Sequence, residues 1–310
     1  MDKARRSGGS IPGSAPATDA QPAYVIDLAE APSIPVMIAV PHAGRAYPPA
    51  IVEALRDPAL AALKLEDRYV DLLAQEVATA TGAGLLVAHA PRAMIDLNRD
   101  PDEVDWTMVA GGGPPRDGRP MAARARSGLG LVPRRLAGIG ELWRRPLDRA
   151  ALDARIAAIH APYHAALADA LYRIRDHWGA ALLLDFHSMP PLGSRRGGAR
   201  AQIVIGDRFG ATCDGGLVAT AFETLAQRRR PAAHNRPYAG GYVLERQARP
   251  RAGIHAMQIE ICRRTYLDGR LSEPGPDLPA MATDLAELVR RLAAETAVLA
   301  GRGTARLAAE

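Results

Sequence analysis

"IPVMIAVPHAG", residues 34–44, is an apolar run that stops at a proline and a histidine. It is too short for a buried helix and lacks polar alternation, so it reads as a strand buried on both faces. That is the pattern of a parallel sheet covered by helices. "LLLDFHSMPP", residues 182–191, repeats the arrangement: an apolar strand, then His187, then prolines. In sheets of this kind ligands sit beyond the carboxyl ends of the strands. His42 and His187 therefore read as two halves of one site, with Gly44 leaving room beside the backbone.

Strand and helix patterns alternate outward from these two stretches. Strands are predicted over 34–40, 84–90, 93–97, 181–186, 201–206 and 255–261. Helical spacing of apolar residues covers 59–82, ending at Gly82, and 148–178, with Asp148 at the N-cap and Gly179 at the end. Pro162 should kink the second of these. Further helices fall near 214–229 and 277–300. The fold class is α/β, with a mixed, mainly parallel central sheet flanked by helices. Residues 1–23, rich in Gly, Ser, Pro and Ala, read as a disordered tail, 24–301 as a single catalytic domain and 302–310 as a C-terminal tail. The stretch 100–130 is dominated by Gly, Pro and Arg and is long for a connection, which marks 112–135 as a candidate active-site loop.

Composition narrows the function. The net charge of +5 suggests an anionic partner, but no block of like charge stands out and aromatics are only 5%. Both facts argue against nucleic acid and favour a small anionic substrate. Only two cysteines occur, Cys213 and Cys262, and neither belongs to a C-x-x-C pair; this fits a reducing cytoplasm and disfavours a thiolate metal cage. Neither a secretory signal nor an apolar run of about eighteen residues is present, so no membrane span is expected. The oligomeric state cannot be read from the chain.

Three groups of polar residues need explaining. Glu66 and Asp67 in "LEDRYVD" either favour a helix dipole or supply the carboxylate that joins two histidines in a three-ligand metal site. Glu260 sits inside the apolar strand "QIEI", where an unpaired carboxylate is costly. It is either half of a structural ion pair, with Arg263 or Arg264 at hand, or a general base facing a cleft. Arg92, Asn98 and Arg99 in "RAMIDLNRDP" either satisfy a loop with Asp96 and Asp100 or clamp a carboxylate. "HAPYH" places His160 and His164 at the spacing of a zinc pair, yet the glutamate of H-E-x-x-H is absent and packing is the better reading. No phosphate-cradling loop or G-x-S-x-G elbow appears.

The ordered set "VPHAGRAYP", "EDRYVD", "RAMIDLNRDP", "DFHSMPP", "IVIGDRFG", "NRPYAGGY" and "HAMQIEICRRTYLD" resembles the N-formylglutamate amidohydrolase family over about residues 34–270. That family is similar in fold to zinc carboxypeptidases and succinylglutamate desuccinylases. The resemblance implies one zinc ion held by His42, His187 and Asp67 (or its neighbour Glu66). It implies Asn98 and Arg99 on a substrate carboxylate, with Arg92 polarising the scissile carbonyl, Glu260 as general base and Arg263 beside the substrate. The implied reaction is cleavage of N-formyl-L-glutamate, or a similar N-acyl amino acid, to formate and glutamate, a step of histidine degradation. A related carboxypeptidase or deacylase and a catalytically silent carboxylate-binding protein are the alternatives. One departure stands out: carboxypeptidases have H-x-x-E, whereas Arg45 occupies the glutamate position here.

Overall fold

The computed structural model describes residues 6–7, 22–111, 121–193 and 200–307, with side chains to 301. Most of the expected N-terminal tail, and 112–120 of the expected loop, lie outside the described residues. The main strands of the central sheet are β1 (Tyr24–Asp27), β2 (Val36–Val40), β3 (Gly84–Ala88), β4 (Ala181–Met189), β5 (Ile203–Gly206), β6 (Ala232–His234) and β7 (Ile254–Cys262). With the two-residue strand Arg6–Ser7 they form, among the described residues, one eight-stranded sheet in the order 6–7, β1, β3, β2, β4, β7, β5, β6. The central neighbours β3, β2, β4 and β7 are parallel, while β1 and β5 run antiparallel to them.

The helices are α1 (Pro49–Ala54), α2 (Pro58–Leu65), α3 (Val70–Thr81), α4 (Ala123–Arg126), α5 (Arg149–Arg155), α6 (Ala161–Trp178), α7 (Gly215–Gln227), α8 (Tyr242–Gln247) and α9 (Leu278–Leu307). The last of these continues into the stretch expected to be a tail. Side chains alternate across each strand. Met37, Ala39, Leu183 and Ala256 therefore pack in one core with Tyr163, Leu167 and Leu171 of α6. Val36, Ile38, Leu184 and Ile259 join Leu73, Leu217 and Leu285 of α3, α7 and α9 in the other. Both faces are covered, and fully burying each such side chain contributes about 1.5–3 kcal/mol, which is why the central strands carry no polar alternation. Among the described residues no helix is long and apolar enough to cross a membrane.

Three local expectations change. Residues 93–97 form a buried turn, with Met94 and Ile95 N–H on Pro91 O and Asp96 N–H on Leu131 O, so their apolar side chains enter the core without joining the sheet. The predicted helix 59–82 is two helices. Glu66 is extended, Tyr69 is left-handed at φ 56°, and the Asp67 N–H bonds to His42 O at 2.9 Å instead of continuing the helical ladder. At Pro162 a π-helical turn, Ile156–His160, separates α5 from α6. The proline has no N–H and crowds the carbonyl four residues back, and the wider turn absorbs that conflict. Asp148 occupies the N-cap of α5, but its side chain makes no capping bond.

Candidate active site

The four parallel strands deliver the site from their carboxyl ends. His42 lies two residues past β2, the loop after β3 carries Arg92 to Arg99, β4 carries His187 and β7 carries Glu260. In the β4–β7 ladder Asp185 pairs with Gln258 and His187 with Glu260. Their period-two spacing puts all four on the face that holds Leu183 and Ala256 deeper in the sheet. The inner half of this face is apolar and the outer half polar, and every one of the four polar side chains is buried. Such burial is stable only when the groups are bonded to one another.

His42, Asp67 and His187 bring their ligand atoms within 4.8 Å of one another. The Asp67 Oδ2 lies 2.9 Å from His187 Nδ1 and 3.5 Å from His42 Nδ1. Each imidazole hands its other nitrogen to a buried carboxylate: His42 Nε2 to Asp96 at 2.7 Å, and His187 Nε2 to Asp185 at 2.9 Å. A carboxylate behind each histidine is the arrangement that orients metal-binding imidazoles. His42 Nδ1 is buried without a hydrogen-bond partner. This set of two imidazoles and one carboxylate, with an orphaned nitrogen facing the shared point, fits a divalent cation such as zinc. Burial alone would raise the Asp67 carboxyl, but the hydrogen bond from His187 and the nearby His42 imidazole hold it well below the usual carboxylate range. Burial likewise works against a charged His187, yet Asp185 and Asp67 hold it well above its ordinary value. Glu66, the other candidate ligand, turns away to Arg68 at 3.0 Å. Arg45 pairs with Asp71 at 2.7 Å, tying the end of "HAGR" to the first turn of α3.

The loop after β3 is held from several sides. Arg92 donates to Asp96 Oδ2 through Nε at 3.0 Å, and its Nη2 lies 2.9 Å from the same oxygen. Burial raises the Asp96 carboxyl, but the Arg92 and Arg99 guanidinium groups hold it far below its usual range. Asn98 accepts from Val243 N–H at 2.9 Å and points its amide at His187 Nε2 at 3.3 Å. Gly241, just before α8, makes this possible, because a Cβ there would lie 2.3 Å from Asn98 Oδ1. The Arg99 Nε and Nη1 donate to Leu129 O and Asn98 O. Beneath the loop, His164 Nε2 meets Leu97 O and His160 Nε2 meets Arg99 O, each at 2.9 Å. The "HAPYH" pair is thus a buried support for the Asn98–Arg99 segment.

Glu260 accepts from Gln258 Nε2 at 2.7 Å through one oxygen. Burial pushes its carboxyl up to about 7, reinforced by Asp67 and opposed by His187 and Arg92. Arg263, expected beside the substrate, lines the cleft, and each of its three nitrogens donates to the chain: Nε to Ser188 Oγ, Nη1 to Leu63 O and Nη2 to Glu66 O.

All the site residues expected from the sequence line one cleft of about 670 Å³. Lys64 and Arg124 line it too and make no ion pair among the described residues. Sequence reasoning missed Asp185 and Gln258 and left Asp96 as a loop residue. For the first two a signal exists: each lies two residues before a singled-out residue in the same buried strand, hence on the same face. Asp96 has no such signal, because its partner His42 is 54 residues away.

The chain is 30% identical to the N-formylglutamate deformylase of Pseudomonas aeruginosa over 270 residues, which is 84% of this chain and 91% of that one. It is 29% identical over 250 residues to the Pseudomonas putida enzyme of the same name, covering 76% and 82%. The crystal structure of N-formylglutamate amidohydrolase from Ralstonia eutropha superposes with a TM-score of 0.78 at 30% identity, covering 90% of this chain and 99% of that one. The family model for N-formylglutamate amidohydrolase matches residues 34–267. Fold, site and relatives together define an amidohydrolase. More specifically, the chain belongs to the N-formylglutamate amidohydrolase family.

Proposed function

We propose that the protein hydrolyses N-formyl-L-glutamate, or a closely similar N-acyl amino acid, with one zinc ion held by His42, Asp67 and His187. The observation that carries this reading is the convergence of those three residues, each imidazole backed by a carboxylate, in the cleft that also holds Glu260. Zinc bound there would acidify a water molecule and draw electron density from the substrate carbonyl. Glu260, poised near neutrality, takes the proton of the attacking water and returns it to the nitrogen as the carbon–nitrogen bond breaks. Formate and the free amine result. Burial alone would weaken the positive charge of Arg92, but Asp96 keeps it charged, so it can stabilise the developing oxyanion. Asn98 and Arg99 receive one substrate carboxylate. Among the described residues Lys64 and Arg124 line the cleft without an ion pair and can take a second, which suits a dicarboxylate substrate.

The test is turnover of N-formyl-L-glutamate by purified protein before chelation, after chelation, and after zinc is restored. Activity that disappears with chelation and returns with zinc supports the reading. Full activity in the metal-free protein sinks it, as does a metal-loaded protein that cleaves no N-acyl amino acid.

A further inference from the structure

The Asp67 carboxylate has two different sides. Oδ2 faces the two imidazoles, whereas Oδ1 accepts from Ser188 Oγ at 3.1 Å and lies 3.7 Å from Arg263 Nη2. The Arg263 Nε in turn donates to that same Ser188 Oγ at 3.0 Å. Its other two nitrogens grip Leu63 O and Glu66 O, carbonyls at the carboxyl end of α2 and just beyond it. Tyr266, three residues on, donates its hydroxyl to Arg68 O at 2.8 Å. The short turn after β7 therefore holds three carbonyls of the 63–68 segment, where the helix breaks and Asp67 is turned toward His42.

We infer that Arg263 is a positioning residue for Asp67, acting with Ser188 to fix the carboxylate so that one oxygen is committed to the protein and the other to the metal. The inference rests on the zinc reading above. The physical argument is one of geometry. The helical ladder of α2 ends with Glu66 N–H on Ala62 O and resumes only in α3, so helix geometry does not set where Asp67 points. A guanidinium supplies donors in a planar fork, and this one reaches two carbonyls and a hydroxyl at once; an ammonium cannot span the three. Arg263 is largely buried, with 12% of its side chain exposed, and Ser188 is 7% exposed, so the bonds are sheltered from competing water. Engaged in this way, Arg263 has little left to offer a substrate carboxylate.

The experiment measures zinc affinity by competition with a chromophoric chelator, together with kcat and KM at saturating zinc, for Arg263→Gln, Arg263→Lys and Ser188→Ala. Loss of partners behind a metal ligand costs about 10–100-fold in metal affinity. Arg263→Gln should lose affinity in that range, and Arg263→Lys should recover only part of it. KM for N-formyl-L-glutamate should stay within about twofold of wild type once zinc is saturating. Ser188→Ala removes the link to Asp67 Oδ1 and the acceptor of Arg263 Nε but leaves the guanidinium on Leu63 O and Glu66 O, so a smaller loss of zinc affinity is expected even if Arg263→Gln fails to fold. A large rise in KM with unchanged zinc affinity makes Arg263 a substrate-binding residue and overturns the inference alone. Unchanged zinc affinity in Ser188→Ala also overturns it. A wild-type protein that binds no zinc overturns it together with the proposed function.

Discussion

His187 on β4 and Glu260 on β7 are direct register partners in a parallel ladder, and both lie on the face of the sheet that opens into the cleft. This pairing sets a candidate base beside a candidate ligand through backbone hydrogen bonds alone. It also makes the roles of the two residues separable by mutation.

Glu260→Gln keeps the shape and the neighbour Gln258 but removes the proton acceptor. The expected result is a kcat reduced about 10²–10⁴-fold, the usual contribution of a positioned base, with zinc content unchanged. Metal analysis alongside turnover checks this, and a variant that keeps wild-type kcat excludes Glu260 as the base.

The pH profile follows from the same residue. Its carboxyl is pushed up to about 7, and the reaction needs the deprotonated form. The kcat/KM should therefore fall about tenfold per pH unit below that value and level off above it. A profile flat from about pH 5 to pH 8 contradicts the assignment.

Asp185→Asn keeps the size of a fully buried side chain but removes the charge behind His187 Nε2. Zinc affinity should drop about 10–100-fold, measured by chelator competition. An unchanged affinity would detach Asp185 from the metal site.

Gly241→Ala tests the seat of Asn98. The backbone there, at φ −110°, is open to any residue, so the effect is purely steric: the new Cβ meets Asn98 Oδ1 at 2.3 Å. KM should rise while zinc affinity holds, and an unchanged KM removes Asn98 from substrate binding.

Acid stability should depend on His164. Burial lowers this imidazole to about 3, with the charges of His160 and Arg246 adding to the effect. The unfolded chain binds the proton near 6.5, so between those limits the unfolded state holds more protons and stability falls as pH falls. Each pH unit in that window costs about 1.4 kcal/mol from this group. Urea unfolding from pH 7 to pH 4 should show that slope, and His164→Gln should flatten it while retaining a donor for Leu97 O.

Much of the architecture is legible because its causes are local. Continuous apolar runs follow from burial on both faces, and period-two alternation then puts Asp185 with His187 and Gln258 with Glu260 whether or not the rest is known. The failures share a different cause. Residues 93–97 have a strand's composition but take a turn, because Asp96 N–H finds Leu131 O instead of a ladder partner. The helix over 59–82 breaks although its apolar spacing is unbroken.

The sequence by itself determined the α/β sheet, the ends of its parallel strands and the arrival of His42 and His187 at one edge. Only the tertiary structure decided that Asp67 and not Glu66 meets the histidines, that Asp96 backs His42, and that Arg263 turns to the chain. These depend on hydrogen bonds between segments 54 to 200 residues apart. Such bonds depend on where distant segments meet, and no local periodicity encodes that.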